Sequence, residues 1–204
     1  MLKAIVLLAF LLWLVPLRAA VSFVPESFVV DFQQIQKSSL TGSERKSNGV
    51  LKYKNPGMLY FHVQSPDEVI FVTNNKKTWY YTAPFIDGEE GELSVQDSHK
   101  NVLTSFFSSL SHGLKDNDSY TVADMPSNQV KISFKEKLKN DLNVVSALFQ
   151  FKATKKEFSE ITSILIEQED GTKLTLDFKS IQTQVKLENE VFDFKAPPKT
   201  KIIK

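Results

Sequence analysis

Between Gly49 and Thr82 the chain reads GVLKYKNPGMLYFHVQSPDEVIFVTNNKKTWYYT. Three clusters of turn-forming residues, at 55–57, 65–67 and 74–76, divide this stretch into short runs rich in aromatic and β-branched side chains. Short runs joined by tight turns are typical of antiparallel strands that follow one another directly. The stretch therefore predicts a meander of four strands, at 50–54, 58–64, 68–73 and 77–82.

Strand-like spacing continues through the second half of the chain. After a short strand at 92–95, further strands are predicted at 120–123, 130–134, 147–153, 161–167, 173–178 and 182–187. Asp170 and Gly171 mark a hairpin, because both central positions of a type I′ turn require positive φ. The polar stretch 38–48 is predicted to be a loop, and the proline-bearing tail 197–201 a surface-bound end.

Two segments have the spacing of amphipathic helices. In 26–37, Phe28, Phe32 and Ile35 recur at intervals of four and three, and in 101–113 apolar residues including Phe106 and Leu110 line one side. About eleven strands with short helices predict an incomplete antiparallel β-barrel, and the helices are candidate lids for its apolar side. The residues alone leave open whether that side encloses a packed core or a ligand cavity.

The N-terminus predicts export. A basic residue at Lys3, an apolar run over 4–17 and small residues at Ala20 and Ser22 are typical of a secretory signal peptide. Cleavage is expected after Ser22, because cleavage after Ala20 would place Arg18 where a small residue normally stands. We therefore expect a signal peptide at 1–22 and a single domain at 23–204, with an uncleaved signal anchor as the alternative.

Composition excludes several classes of protein. The chain has 25 basic and 24 acidic residues, and loss of residues 1–22 would leave 23 against 24, so no electrostatic footprint for nucleic acid is predicted. It contains no cysteine, which excludes a disulfide scaffold, a thiol enzyme and a zinc-thiolate site. Its 16 phenylalanines indicate an unusually aromatic interior.

Catalytic chemistry is not predicted. No two of His62, His99 and His112 lie at metal-ligand spacing on one element, and each is expected to be an ordinary polar histidine. The chain has no G-x-S-x-G, P-loop, G-x-G-x-x-G or H-E-x-x-H motif. Adjacent carboxylates at 67–68 and 89–90 lie in predicted turns, where they are usually solvated. We therefore predict no enzyme, no cofactor and no metal; an exported hydrolase would require a Ser-His-acid cluster around a cavity.

The order of motifs in 49–93 is distinctive. A G-x-L strand is followed by a proline turn, an aromatic strand with Tyr60 and Phe61, the sequence S-P-D-E at 65–68, and K-T-W-Y-Y at 77–81 followed by Pro84 and Phe85. The chain ends with F-D-F at 192–194 and two prolines shortly after. This order resembles the LolA family of outer-membrane lipoprotein carrier proteins, and the resemblance extends over nearly all of 23–204.

The resemblance implies an incomplete β-barrel whose helical lid covers an apolar cavity. It implies a monomeric periplasmic carrier, which takes the acyl chains of lipoproteins from the inner-membrane ABC transporter complex LolCDE and delivers them to the outer-membrane receptor LolB. The residues expected to contact acyl chains are Leu59, Phe61 and Val63 on the aromatic strand and Phe28, Phe32, Phe106, Phe107 and Leu110 on the lid side. Aromatic side chains suit this task because they offer a large apolar contact area.

One position departs from the family pattern. The family often has an arginine immediately before the proline of the turn, where it hydrogen-bonds the lid, whereas this chain has Asn55. Asparagine is shorter and uncharged, so either the lid latch differs or another group performs the task. Two alternatives share the architecture: a domain that senses lipoproteins or lipids, and the receptor LolB, whose family pattern includes an N-terminal lipidated cysteine that this chain lacks.

Overall fold

The structure is a computed structural model that describes residues 22–37, 41–86, 88–97, 102–111 and 113–203. All but the last residue of the predicted signal peptide lie outside the described residues, as do His99 and His112.

Within these ranges twelve strands form one sheet. They are β1 (Ser27–Lys37), β2 (Glu44–Lys54), β3 (Met58–Ser65), β4 (Val69–Thr73), β5 (Lys77–Thr82), β6 (Gly91–Asp97), β7 (Tyr120–Met125), β8 (Gln129–Phe134), β9 (Val144–Phe151), β10 (Ile161–Gln168), β11 (Lys173–Thr183) and β12 (Thr200–Ile203). Two short α-helices, α1 (Val102–Leu110) and α2 (Glu136–Leu142), and two 3₁₀ helices, Phe158–Glu160 and Asn189–Phe192, complete the regular structure of the described chain.

The strand order is β12-β6-β5-β4-β3-β2-β1-β11-β10-β9-β8-β7. Neighbours are antiparallel except β12, which pairs with β6 in parallel. The end strands β7 and β12 are not paired with each other, so the sheet remains open. This confirms the prediction of an incomplete, mainly antiparallel barrel with short helices.

The meander and the helix α1 agree with the sequence patterns. Strands β2 to β5 pair in succession through the three predicted turns, and α1 falls inside the predicted helical segment. The helix ends near Gly113, whose φ of +86° suits glycine in particular. The helix α2 was not predicted, because among its seven residues only Leu142 is buried and no apolar stripe marks it.

The predicted N-terminal helix is wrong, because residues 27–37 form the strand β1. Phe28, Val30 and Phe32 alternate on one face and are buried, whereas Ile35 lies on the opposite face. The helix prediction depended on the spacing of Phe28, Phe32 and Ile35. A strand also places Phe28 and Phe32 on one face, because they are four residues apart. β1 pairs with β2 on one side and β11 on the other, so long-range pairing decides its conformation.

Three further boundaries differ from prediction. Residues 44–48 of the predicted loop belong to β2, whose pairing with β1 continues to the Lys37 and Glu44 positions. The two strands predicted over 173–187 are one strand, β11, which ends before Gln184 at a φ of +58°. The tail forms β12, because Thr200 to Ile203 pair alongside β6.

The sheet carries a hydrophobic cluster on each face. The inner cluster lies on the face that α1 and α2 cover, and it contains Phe28, Leu59, Leu110, Leu142 and Phe149 among its buried members. The outer cluster lies on the opposite face of β3 to β6. Its buried members are Val72, Trp79, Tyr81, Leu93 and Phe192. It is covered by residues 187–194, here called the C-terminal strap.

Candidate functional site

The eight apolar residues predicted to contact acyl chains all belong to the inner cluster. They are Phe28 and Phe32 on β1, Leu59, Phe61 and Val63 on β3, and Phe106, Phe107 and Leu110 on α1. Phe61 and Phe106 are partly buried and the others are buried. The structure places Phe28 and Phe32 in the wall of the barrel rather than in the lid, and their contact with a ligand stays a prediction.

The helix α1 packs on the sheet through aromatic rings. The Phe107 ring lies 5.4 Å from that of Phe28 in an edge-to-face arrangement and 5.2 Å from that of Tyr53. The Phe106 ring contacts those of Phe134 and Phe149 at 5.9 and 6.5 Å. Adjacent phenylalanines of one helix thus contact strands from both halves of the sheet, so α1 spans the concave side.

A small apolar cavity of about 90 Å³ lies beneath the two helices. Every side chain in its wall is apolar: Leu51, Phe61, Phe106, Phe107, Leu142, Val144, Ala147, Ile164, Ile166, Leu176 and Phe178. Three of the eight predicted residues line it, whereas the contributions of β9, β10 and β11 were not predicted. The alternation of Leu174, Leu176 and Phe178 was the available signal for β11, but alternation does not reveal which face turns inward.

A glycine shapes the inner cluster next to this cavity. The rings of Phe32 and Phe61 stack with centroids 5.0 Å apart and planes 11° from parallel. The Phe32 ring lies across Gly49, where a Cβ would come within 2.5 Å of its Cζ and 2.3 Å of the His62 carbonyl oxygen. Only glycine therefore fits at this position.

The hydrogen bonds of Asn55 go to Glu26. Its side-chain amide donates to the Glu26 carboxylate at 2.9 Å, and its backbone N–H donates to the Glu26 carbonyl at 2.8 Å. The turn that contains Asn55 borders a cleft of about 700 Å³, whose other side includes Ser105 and Ser108 of α1 and Asp141 of α2. Asn55 thus faces the lid across open space.

Tyr120 of β7 makes the contact to the lid that sequence reasoning missed. Its fully buried hydroxyl lies 2.6 Å from the Gly113 carbonyl oxygen and 3.1 Å from that of Ser109, and it donates to this pair of acceptors. Burial raises the pKa of Tyr120, which keeps the hydroxyl protonated as a donor. The hydroxyl donates to carbonyl oxygens at the C-terminal end of α1, where the last carbonyl groups have no backbone N–H partner within the helix.

The one described histidine is paired on the outer face, away from the cavity. His62 Nε2 lies 2.8 Å from Glu68 Oε1, and its Nδ1 lies 3.3 Å from the Tyr60 hydroxyl. Burial and, secondarily, the Glu68 carboxylate raise the pKa of Tyr60. In the part of the chain that the structure describes, no three His, Cys, Asp or Glu side chains come together as a metal site.

Comparison with known proteins identifies the family. The sequence profile described as "Outer membrane lipoprotein carrier protein LolA" matches residues 25–195, which include β1 to β11 and both helices. The chain belongs to the LolA family.

Individual relatives carry the same family description. A protein of Francisella tularensis subsp. tularensis named outer-membrane lipoprotein carrier protein is 28% identical over 180 residues, which cover 87% of this chain and 81% of the relative. A protein of the same name from Idiomarina loihiensis is 39% identical over 62 residues, or 30% of each chain. Another from Photobacterium profundum is 26% identical over 154 residues, which cover 76% and 70% of the two chains.

Two solved structures resemble this LolA-family chain across most of their length. An uncharacterized conserved protein from Thermus thermophilus has a TM-score of 0.48 at 7% identity, and the match covers 89% of this chain and 91% of that protein. A LolA superfamily protein from Nitrosomonas europaea has a TM-score of 0.46 at 10% identity, covering 84% and 92%. Among the described residues, no helix is long and apolar enough to cross a bilayer.

Proposed function

We propose that this LolA-family protein is a periplasmic carrier, which holds the acyl chains of lipoproteins beneath α1 and α2 while they travel from the inner to the outer membrane. The observation that supports it best is the wholly apolar cavity under a helix that packs through Phe106 and Phe107. Each buried CH₂ of an acyl chain contributes about 0.8 kcal/mol, so such a cavity favours this ligand.

The cavity must enlarge to hold cargo. Its volume of about 90 Å³ is well below that of a site for a drug-sized ligand, roughly 300–1,000 Å³. Moving α1 and α2 off the sheet would expose the inner cluster, and acyl chains would then replace the lid's aromatic contacts. Because lid contacts are lost as cargo contacts form, the net affinity stays modest, as a carrier that releases its cargo requires.

Tyr120 would hold one end of the lid during this movement. Its hydroxyl ties β7 to the carbonyls of Ser109 and Gly113, whereas the cleft near Asn55 borders the middle of the helix. In this proposal α1 swings about its C-terminal end, which the Tyr120 hydroxyl holds in place.

Localisation and partners complete the proposal. The expected signal peptide would direct the chain to the periplasm as a monomer, where the inner-membrane ABC transporter complex LolCDE would load it and the receptor LolB would unload it. The near balance of basic and acidic residues agrees with a partner that is not a nucleic acid.

The test is release of lipoproteins from the inner membrane. The protein starting at residue 23 is purified and incubated with spheroplasts, and lipoproteins are then measured in the soluble fraction. We expect a soluble complex of carrier and lipoprotein, which forms only while the transporter hydrolyses ATP.

A sensing domain gives a different result in the same assay. It would bind an acylated peptide without bringing lipoproteins into the soluble fraction. If the folded protein releases no lipoprotein, the carrier proposal is wrong; transfer of captured lipoprotein to outer-membrane vesicles tests the delivery step.

A further inference from the structure

The inner face of the sheet continues beyond the cavity as an open groove. This groove has a volume of about 420 Å³ and shares Phe61 with the apolar cavity. Its lining consists of Gln34, Gln36, Arg45, Ser47, Phe61, Val63, Asp67, Val69, Phe71 and Tyr80. The Tyr80 side chain is 48% exposed, so this aromatic floor is open to solvent.

Strand pairing divides the groove into a polar and an apolar half. On β1 and β2 the cross-strand pairs Gln34–Ser47 and Gln36–Arg45 supply hydrogen-bond donors. On β3 to β5 the pairs Phe61–Phe71, Val63–Val69 and Phe71–Tyr80 supply an apolar floor. A ligand seated here would meet donors along one side and hydrocarbon along the other.

The charges in the groove cancel. Arg45 forms an ion pair with Asp67, and these are the two ionised side chains among the described residues of the lining. Alternation along β1 and β2 turns Lys37, Glu44 and Lys46 to the other face. The groove therefore offers hydrogen-bond donors without a free positive charge.

Hydrogen-bond donors beside a paired arginine suit the lipid of a lipoprotein better than a phospholipid. The head of a lipoprotein's lipid is uncharged, with ester and amide carbonyls that accept hydrogen bonds, whereas a phospholipid carries a phosphate that is best bound by unpaired cations. We propose that the groove holds the acylated glyceryl end of the lipoprotein, with its carbonyls on the β1–β2 donors. The Arg45–Asp67 pair then discriminates against phospholipids.

This inference rests on the proposed function, and it adds to it a specificity-determining pair. Asp67 neutralises the charge of Arg45, so a phosphate meets no net positive charge in the groove unless Asp67 is displaced. Continuity through Phe61 lets chains that start in the groove extend into the cavity under α1.

The first test uses Asp67→Asn, which leaves Arg45 unpaired. Binding of a synthetic triacylated lipopeptide and extraction of phosphatidylglycerol from vesicles are measured for the wild type and the variant. We expect phosphatidylglycerol extraction to rise roughly fivefold while lipopeptide binding stays within about twofold, because a free guanidinium binds phosphate by charge-assisted hydrogen bonds. The matched control is Asp31→Asn, the same charge change on the outer face, where Asp31 accepts from Ser180.

Two further measurements keep the inference testable if Asp67→Asn is poorly folded. Gln34→Leu should weaken lipopeptide binding severalfold, whereas Gln33→Leu, next to it on the opposite face, should not. A photocrosslinking residue in place of Tyr80 should capture the lipopeptide, and one in place of the exposed, outward Lys77 should not.

The outcomes separate this inference from the carrier proposal. If the wild type binds lipopeptide and releases lipoproteins but Asp67→Asn leaves the ratio of the two lipids unchanged, or Tyr80 captures nothing, the groove inference fails alone. If the wild type neither binds lipopeptide nor releases lipoproteins, both proposals fail.

Discussion

The two faces of the sheet are covered in different ways. The C-terminal strap is fastened to the outer face by hydrogen bonds: Lys54 Nζ donates to the Leu187 carbonyl at 2.8 Å and to Asn189 Oδ1 at 2.7 Å, and Asn74 donates to the Phe192 carbonyl at 3.3 Å. Helix α1 of the lid contacts the inner face chiefly through aromatic rings, with the Tyr120 hydroxyl as a polar tie, and α2 adds an ion pair between Lys139 and Glu169.

In the proposed carrier cycle, this difference distinguishes a cover that stays in place from one that moves. Hydrogen bonds have directions and distances that a sliding element loses at once, whereas apolar contacts can be exchanged for others of similar energy. Both covers bury phenylalanine, so hydrophobicity alone does not decide which one moves.

Truncating one phenylalanine in each cover should give the largest difference between the strap and the lid. Phe192→Ala in the strap should lower the free energy of unfolding by about 3–5 kcal/mol, because Phe192 is fully buried under a fixed cover. Phe107→Ala in the lid should cost about 2 kcal/mol, because a helix that packs chiefly through aromatic rings can settle into the space. Urea unfolding of both variants measures this, and equal losses would contradict the distinction.

A charge in the lid should strongly reduce carriage. Phe107→Glu places a carboxylate where acyl chains are expected, and lipoprotein release should fall about tenfold or more because burying an unpaired charge is costly. Ser108→Glu, one position further on the exposed side of α1, is the matched control and should release normally. Release by Phe107→Glu at the wild-type level would place the cargo elsewhere.

Removing the Tyr120 hydroxyl should loosen α1, with a smaller effect than the two substitutions of Phe107. Tyr120→Phe deletes the hydroxyl that serves the Ser109 and Gly113 carbonyls, at a cost of about 1 kcal/mol, the usual net value of one hydrogen bond. Hydrogen exchange of the α1 amides should accelerate about fivefold, with strap amides unchanged. Acceleration at both faces would show a general destabilisation instead.

Replacing Asn55 with the arginine that the family often has should stabilise the closed lid, and this effect should be the smallest of the four. Asn55→Arg would reach across the cleft toward Asp141 of α2 and tighten the closed lid by about 0.5 kcal/mol, the value of an exposed ion pair. Slower exchange of lid amides is the expected result. Unchanged exchange would indicate that the new arginine pairs with Glu26, which already holds Asn55.

Local patterns in the sequence were sufficient for the meander and for α1. The turns at 55–57, 65–67 and 74–76 are formed by adjacent residues. In 101–113 the apolar pairs 102–103 and 106–107 and Leu110 recur every four residues, and a strand would place the two members of each pair on opposite faces. β1 was mistaken because Phe28 and Phe32 fit a helix and a strand alike, and its partners lie far along the chain. The helix α2 has too small an apolar face to leave a periodic signal.

Sequence patterns located part of the inner cluster but not the geometry of the candidate site, since three of the eight predicted residues line the cavity and their contact with a ligand stays a prediction. Aromatic residues of β3 and α1 pointed to the inner cluster, and the family resemblance gave them a role. The tie from Tyr120 and the pairing of Asn55 with Glu26 depend on how distant segments meet, which no local pattern encodes.

The double pairing of β1 sets the order in which the molecule can be assembled. Ser27 donates to the carbonyl of Val185, 158 residues further along the chain, and the inner core closes only when β11 lies beside β1. Contacts so distant in sequence form late, because a long loop must close first. A chain that emerges from synthesis N-terminus first therefore completes its inner core only after β11 has been made.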